Sequence, residues 1–238
     1  MTDRTTARVV GGLFITADVA GVLAVVLLQP IFGAHDYFTV ASRNGNRVAT
    51  GALLELMMGI AVVGIAVAIY TVLRRFSEGL ALGYAAVRTM EGMLNVISAI
   101  GGLILLSMSR EFVSAGTPDA SLQALRGVLL AEGDWVNYAV LPIVFALDAL
   151  ILNYALYQAR LVPRWLPLWG LGGAALWLAA GVMVTYGVQP SATTVLAAPI
   201  GVQEMALAAW LIVKGFNLAA FRSGPEVGLT RKHPVMSA

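Results

Sequence analysis

Tyr84, Arg88, Glu91, Asn95 and Ser98 follow one another at intervals of four, three, four and three. On an α-helix that spacing lays all five along one side. The run that holds them, residues 80–108, is otherwise dominated by apolar side chains. Asp18, Asp148 and Glu204 stand near the middle of three other apolar runs, and Glu55 stands in the outer third of a fourth. A guanidinium beside carboxyl groups can anchor an anion, hold a carboxylate in place, relay protons or present a neutral carboxylic acid as a general acid.

The number of charges decides which of these roles is open. A charged side chain at the centre of a membrane helix costs about 2.5–3.5 kcal/mol, so these groups must face one another and not lipid. At ~1.5 Å of rise per residue, Asp18, Glu91, Asp148 and Glu204 fall at similar depth, close to Arg88. One arginine neutralises one carboxylate, or two in a shared network. At least one of Asp18, Asp148 and Glu204 is therefore expected to keep its proton at neutral pH, unless a cation or a water-filled cavity offsets it. Two plainer roles stay open. Arg88 and Glu91 can neutralise each other within one helix. The remaining acids can cap groups such as Thr16, Asn153 and Gln203 and only hold helices together.

The elements that position these residues follow from composition. Of 238 residues, 59% are hydrophobic and 12% charged, and the mean hydropathy is +0.82. A soluble core of this size cannot bury so much apolar surface, so the solvent is a bilayer. Six runs are long enough to cross it: residues 9–29, 49–73, 80–108, 135–157, 165–187 and 193–215. None alternates with the period of a strand, which argues against a barrel. The fold expected is all-α: a polytopic membrane bundle of six transmembrane helices forming one domain, residues 1–222, with a disordered tail at 223–238.

The first run follows Arg4 and Arg8 as a signal peptide would, but it is too long for one and lacks a small-residue cleavage site. With both termini placed in the cytoplasm, ten basic residues lie inside and four (Arg43, Arg47, Arg110 and Arg126) outside, which favours that orientation. Trp135, Tyr157, Trp165 and Trp169 lie near run ends, as interfacial anchors. The outer loop "TPDASLQALRGVLLAEGDW" opens on Thr117 and Pro118, a helix start, and continues with Leu122, Leu125 and Leu129 at helical spacing. It reads as a short amphipathic helix on the outer surface or a bent extension of the fourth span. Gly79/Gly83, Ala17/Gly21 and Ala175/Ala179 are small pairs four apart that allow close helix approach.

Several functions are excluded or disfavoured. There is no cysteine, hence no disulfide, thiolate nucleophile or iron–sulfur ligation. His35 and His233 both lie outside the spans, so a bis-histidine haem and a histidine-assisted serine nucleophile have no place in the core, and His35-Asp36 lacks the further ligands of a metal site. No lysine sits at mid-depth to carry a Schiff base. No nucleotide-binding glycine motif has the right context, and the scattered basic residues do not suggest nucleic acid. No cofactor is expected.

Four blocks, "GALLELMMGIAVVGIAVAIYTVLRR", "SEGLALGYAAVRTMEGML", "LVPRWLPLWGLGG" and "APIGVQEMALAAWLIVKGF", resemble the bacterial multi-pass membrane family called domain of unknown function 4386, from about Arg8 to Asn217. The resemblance implies a six- or seven-helix inner-membrane protein and no particular activity. Asp18 and Asp148 fall outside the blocks that carry it.

Three functions fit these readings. The first is a small proton-linked carrier or sensor, with Glu55, Tyr84, Arg88, Glu91, Asn95 and Glu204 around a polar solute. The second is a membrane-embedded enzyme using a protonated acid on a lipid or prenyl chain, in the manner of a terpene cyclase, with Tyr84, Phe145, Tyr154 and Trp177 sheltering cations. The third is an accessory protein whose polar core is glue. The partners implied are the bilayer and a small polar solute or lipid ligand, and a homo-oligomer is left open.

Overall fold

In lipid a backbone amide has no water to turn to, so a chain that crosses a bilayer closes its hydrogen bonds within its own helices. The structure, a computed structural model, describes residues 3–34, 36–115 and 120–217, and it is helical throughout, with no strand among those residues. In chain order the helices are α1 (Asp3–Phe32), α2 (Tyr37–Arg43), α3 (Gly45–Leu73), α4 (Glu78–Ala115), α5 (Ala120–Trp135), α6 (Leu141–Gln158), α7 (Trp165–Thr185), α8 (Pro190–Thr193) and α9 (Ala198–Val213). A π turn, Val136–Val140, joins α5 to α6, and a 3₁₀ turn, Thr194–Ala197, joins α8 to α9. Six helical stretches are long and apolar enough to cross a membrane.

These six form a closed ring. α1 packs on α3, α3 on α4, α4 on α6, α6 on α7, α7 on α9, and α9 returns to α1. At one end of the bundle the chain just past α9 is tied to the connection between α6 and α7, where the Asn217 amide donates to the Leu161 carbonyl at 2.8 Å. Arg75 meets Asp3 at 2.9 Å at the same end, which is called the amino-terminal end below.

The ring is inverted relative to a soluble bundle. α4 turns Leu82, Met90, Met93, Ile97 and Ile100 outward, while Tyr84, Arg88, Glu91, Asn95 and Ser98 are buried. Lipid takes the apolar face, so the polar face must find its partners within the ring. Close approach of α3 and α4 makes this feasible. A Cβ on Gly59 would lie 2.9 Å from the Gly92 carbonyl oxygen, and one on Gly92 would lie 2.6 Å from Val63. Of the three small pairs, only Ala17/Gly21 sits at an interface, Ala17 buried and Gly21 against Met58. A Cβ on Gly83 would meet nothing within 4 Å, and Ala175 and Ala179 are exposed, so these two pairs do not mediate packing between the described helices.

Apolar packing is concentrated on the amino-terminal side of the charges. Phe14, Ile65, Ile69, Leu152, Leu156, Leu207 and Leu211 are all buried in one cluster there. They close that half of the ring.

The helices differ from the expected spans where polar residues were taken as ends. α4 runs through Ser109, Arg110 and Glu111 to Ala115, because a helix need not stop where the apolar run does. α5 passes through the π turn into α6 without a break, so it extends the fourth span. Leu129 packs near Phe38, Leu105 and Met108, whereas Leu125 is exposed. α2 occupies a stretch between spans that carried no helix signal. Its Phe38 ring lies 4.9 Å from that of Phe112. Thr117, Pro118, His35 and the tail at 223–238 lie outside the described residues.

Candidate functional site

Arg88 is 2% exposed and sits inside the ring. Its Nη1 lies 2.9 Å from Glu91 Oε2 and 3.1 Å from Asp148 Oδ1, and its Nη2 lies 3.7 Å from Glu204 Oε1. Nη1 donates to both Asp148 oxygens, at 3.1 and 3.4 Å. Three carboxyl groups from α4, α6 and α9 thus converge on one guanidinium. The rings of Phe14 and Phe145 flank it, with centroids 5.5 and 5.6 Å from its central carbon. Their faces add attraction for the cation and exclude water from its sides.

The fourth acid extends the cluster to α1. Asp18 lies near Arg88, Glu204 and Glu91, and Glu91 lies near Asp148. Asp18 is half-buried, at the edge of the ring, whereas Glu91 and Asp148 have no exposure.

The acids do not act as caps for the neighbouring amides and hydroxyls. The Thr16 hydroxyl donates to the Gly12 carbonyl at 2.9 Å. The Asn153 amide donates to the Ala149 carbonyl at 2.8 Å. The Gln203 amide donates to Asn153 Oδ1 at 3.1 Å and to the Leu166 carbonyl at 3.3 Å. Gly170 makes room for this link, since a Cβ there would collide with the Asn153 side chain. Several polar atoms stay without a hydrogen-bond partner among the described residues: Tyr84 Oη, Arg88 Nε, Glu91 Oε1, Asp18 Oδ2 and Gln203 Oε1. Unsatisfied buried atoms are uncommon and call for water, an ion or a ligand.

Glu55 belongs to a second cluster, separate from Arg88. The Asn137 amide donates to Ser98 Oγ at 3.1 Å and to the Gly133 carbonyl at 2.9 Å. The Ser98 hydroxyl then donates to Glu55 Oε1 at 3.2 Å. Asn95 lies between the clusters on α4, its amide donating to the Glu91 carbonyl at 3.0 Å. Glu132 Oε1 is buried and unpartnered, and a Cβ on Gly101 would lie 2.9 Å from Glu132 Oε2. Polar side chains therefore continue from Arg88 away from the amino-terminal end, opposite to the apolar cluster.

Of the expected site residues, the ring brings together Asp18, Arg88, Glu91, Asp148 and Glu204. Tyr84 is fully buried on the apolar side without a hydrogen bond to its hydroxyl. Asn137, Glu132 and Phe14 were not anticipated. Asn137 had a signal: it precedes Asp148 by 11 residues, about three helical turns, and so shares its face. Among the aromatic residues considered as shelter for a substrate cation, Phe145 faces Arg88 and Trp177 packs near Ala149, Ala174 and Ile200. Tyr154 is exposed on the outside of the bundle.

A family model described as "Domain of unknown function (DUF4386)" matches residues 9–215. No curated protein and no solved structure matches the chain.

Proposed function

The chain belongs to the family of domain of unknown function DUF4386, and from that premise we propose that it is a small proton-linked carrier or sensor of a polar solute. The observation that carries this reading is the convergence of three carboxyl groups from three helices on one guanidinium, with a fourth acid, Asp18 of α1, beside them. Fully ionised, the cluster would hold three uncompensated negative charges in a site that excludes water. Protons, or a cation in their place, must make up the difference, and a group that holds a proton by necessity can also release it. The orphaned donors and acceptors around Arg88 support a polar occupant, with Arg88 Nε and Tyr84 Oη as donors and Glu91 Oε1 and Asp18 Oδ2 as acceptors.

The asymmetry of the ring supports a direction of access. Apolar side chains close the amino-terminal half, while Asn95, Ser98, Glu55 and Asn137 lead away from it. With the lysine and arginine count setting both termini in the cytoplasm of an inner membrane, this polar route faces outward. Protons would enter from outside and reach the Arg88 cluster, and the apolar half would have to open for release.

Infrared difference spectra of the protein in lipid, between about pH 5 and about pH 9, follow the carboxyl C=O stretch directly. The proposal expects a band that changes across this range and is lost in Asp18→Asn or Glu204→Gln. In vesicles containing a pH dye, solute gradients should drive proton flux in the parent protein and not in Glu91→Gln or Glu204→Gln. A carboxyl region that stays silent across the whole range in the folded parent protein sinks the proposal.

A further inference from the structure

At the end of the bundle opposite the amino-terminal end, three arginines converge on one cavity. Arg43 at the end of α2, Arg47 in the first turn of α3 and Arg110 near the end of α4 line a space of about 400 Å³ together with Ser42, Asn44 and Asn46. No carboxylate lines it. Among the described residues, none of the three arginines makes an ion pair, although Arg75 and Arg88 both do. Three uncompensated guanidinium groups repel one another, so their grouping needs a cause.

The way they are held gives that cause. Arg47 Nη2 donates to the Val26 carbonyl at 3.1 Å, which anchors the guanidinium, while its Nε is buried with no partner. Arg110 lies against Gly45, where a Cβ would come within 3.0 Å of Nη2, so glycine there leaves room for the guanidinium. Gly45 also begins α3, a helix of 29 residues, and the side chain of its N-cap Asn44 makes no capping bond. The Asn44 amide instead donates back to the Val40 carbonyl at 2.8 Å. The first amides of α3 and the positive end of its dipole therefore meet the same space as the arginines.

We propose that this cavity is a binding site for an oxyanion, the phosphate or carboxylate group of a small solute or of a lipid head group. Guanidinium forks suit both groups, since each can accept two parallel N–H bonds. The charge count along the chain makes the site more pointed. This is the end assigned to the outer side, where arginine is disfavoured, and three of the four arginines placed there gather in one cavity. The site stands on its own residues and holds whether or not the Arg88 cluster moves protons.

The test measures binding to the full chain. Inorganic phosphate and succinate are titrated into detergent-solubilised protein by calorimetry, and the protein is compared in nanodiscs of neutral lipid and of phosphatidylglycerol. Arg43 and Arg110 are exposed, so Arg43→Gln and Arg110→Gln should fold, and melting curves verify this before binding is measured. Saturable, salt-sensitive binding of either soluble anion, weakened about tenfold or more by each substitution, assigns the site to a free solute. A phosphatidylglycerol-dependent rise in melting temperature that both variants lose, without binding of soluble anions, assigns it to a head group. No response to any of these probes, or a response that survives in Arg43→Gln/Arg110→Gln, overturns the proposal.

Discussion

Arg88 donates from a single nitrogen to both oxygens of Asp148, 60 residues further along the chain, at 3.1 and 3.4 Å. This bond fastens α4 to α6 inside a ring where neither group can find bulk water. Removing one partner of a buried pair costs about 3–5 kcal/mol, because the other charge is left without compensation. Arg88→Gln should therefore lower the melting temperature in detergent strongly or prevent accumulation of folded protein. Arg88→Gln combined with Glu91→Gln, Asp148→Asn and Glu204→Gln should recover much of the loss, because this variant neutralises every acid that Arg88 pairs with. A melting temperature unchanged in Arg88→Gln would show that the pair does not hold the bundle.

The Asp18 carboxyl on α1 neighbours the Glu204 carboxyl on α9, and two acids placed so close are expected to share one proton. An amide can donate a bond to the remaining carboxylate, so Asp18→Asn should leave the stability at neutral pH within about 1 kcal/mol of the parent. Alkaline solution should separate the two. Stripping the shared proton sets two anions side by side in the parent, so its stability falls as pH rises, while Asp18→Asn keeps a neutral partner and a flatter profile. Parallel melting curves across the alkaline range decide this, and identical slopes would refute it.

Ser98 connects Asn137 to Glu55 through one hydroxyl. Ser98→Ala removes the connection and little volume, at about 1 kcal/mol. Deuterium exchange into the Arg88 cluster, followed by the infrared shift of its carboxyl band after transfer to D2O, should slow by about tenfold or more if this route carries protons. An unchanged exchange rate in a folded Ser98→Ala protein would locate the route elsewhere.

Two glycines on α4 should respond in opposite ways. Gly92→Ala places a methyl group 2.6 Å from Val63 and 3.1 Å from the Gly59 carbonyl, so it should push α3 from α4 and destabilise the bundle. Gly83→Ala meets nothing within 4 Å and should be neutral or stabilising by about 0.5–1 kcal/mol, the gain from a helix-interior glycine replaced by alanine. Melting curves of the two single variants check the contrast directly.

How far the sequence discloses this arrangement depends on the range of the interaction. The face shared by Tyr84, Arg88, Glu91, Asn95 and Ser98 is a property of one helix, so spacing alone exposes it. The common depth of Asp18, Asp148 and Glu204 follows from counting residues through spans of similar length. The order of helices round the ring does not, since it depends on packing between distant segments, such as Gly59 against Gly92. Glu55 illustrates the limit. It shares a face of the ring with Ser98 and Asn137, and only the packing of α3, α4 and the π turn separates it from Arg88. The arginine cavity was illegible for a related reason: α2 is seven residues long, with no apolar period to announce it, and it brings Arg43 to Arg47 and Arg110.

Arg88 and Glu91 stand one helical turn apart, 2.9 Å from each other in the folded protein, so they leave the ribosome almost together. The third span can thus enter the membrane during synthesis without a bare cation. Asp148 follows 60 residues later and Glu204 later still, so the nascent chain must hold an unfinished centre until its last span arrives. A chain arrested before α9 would have a gap in the ring, with Asp18 facing lipid in place of a second carboxyl.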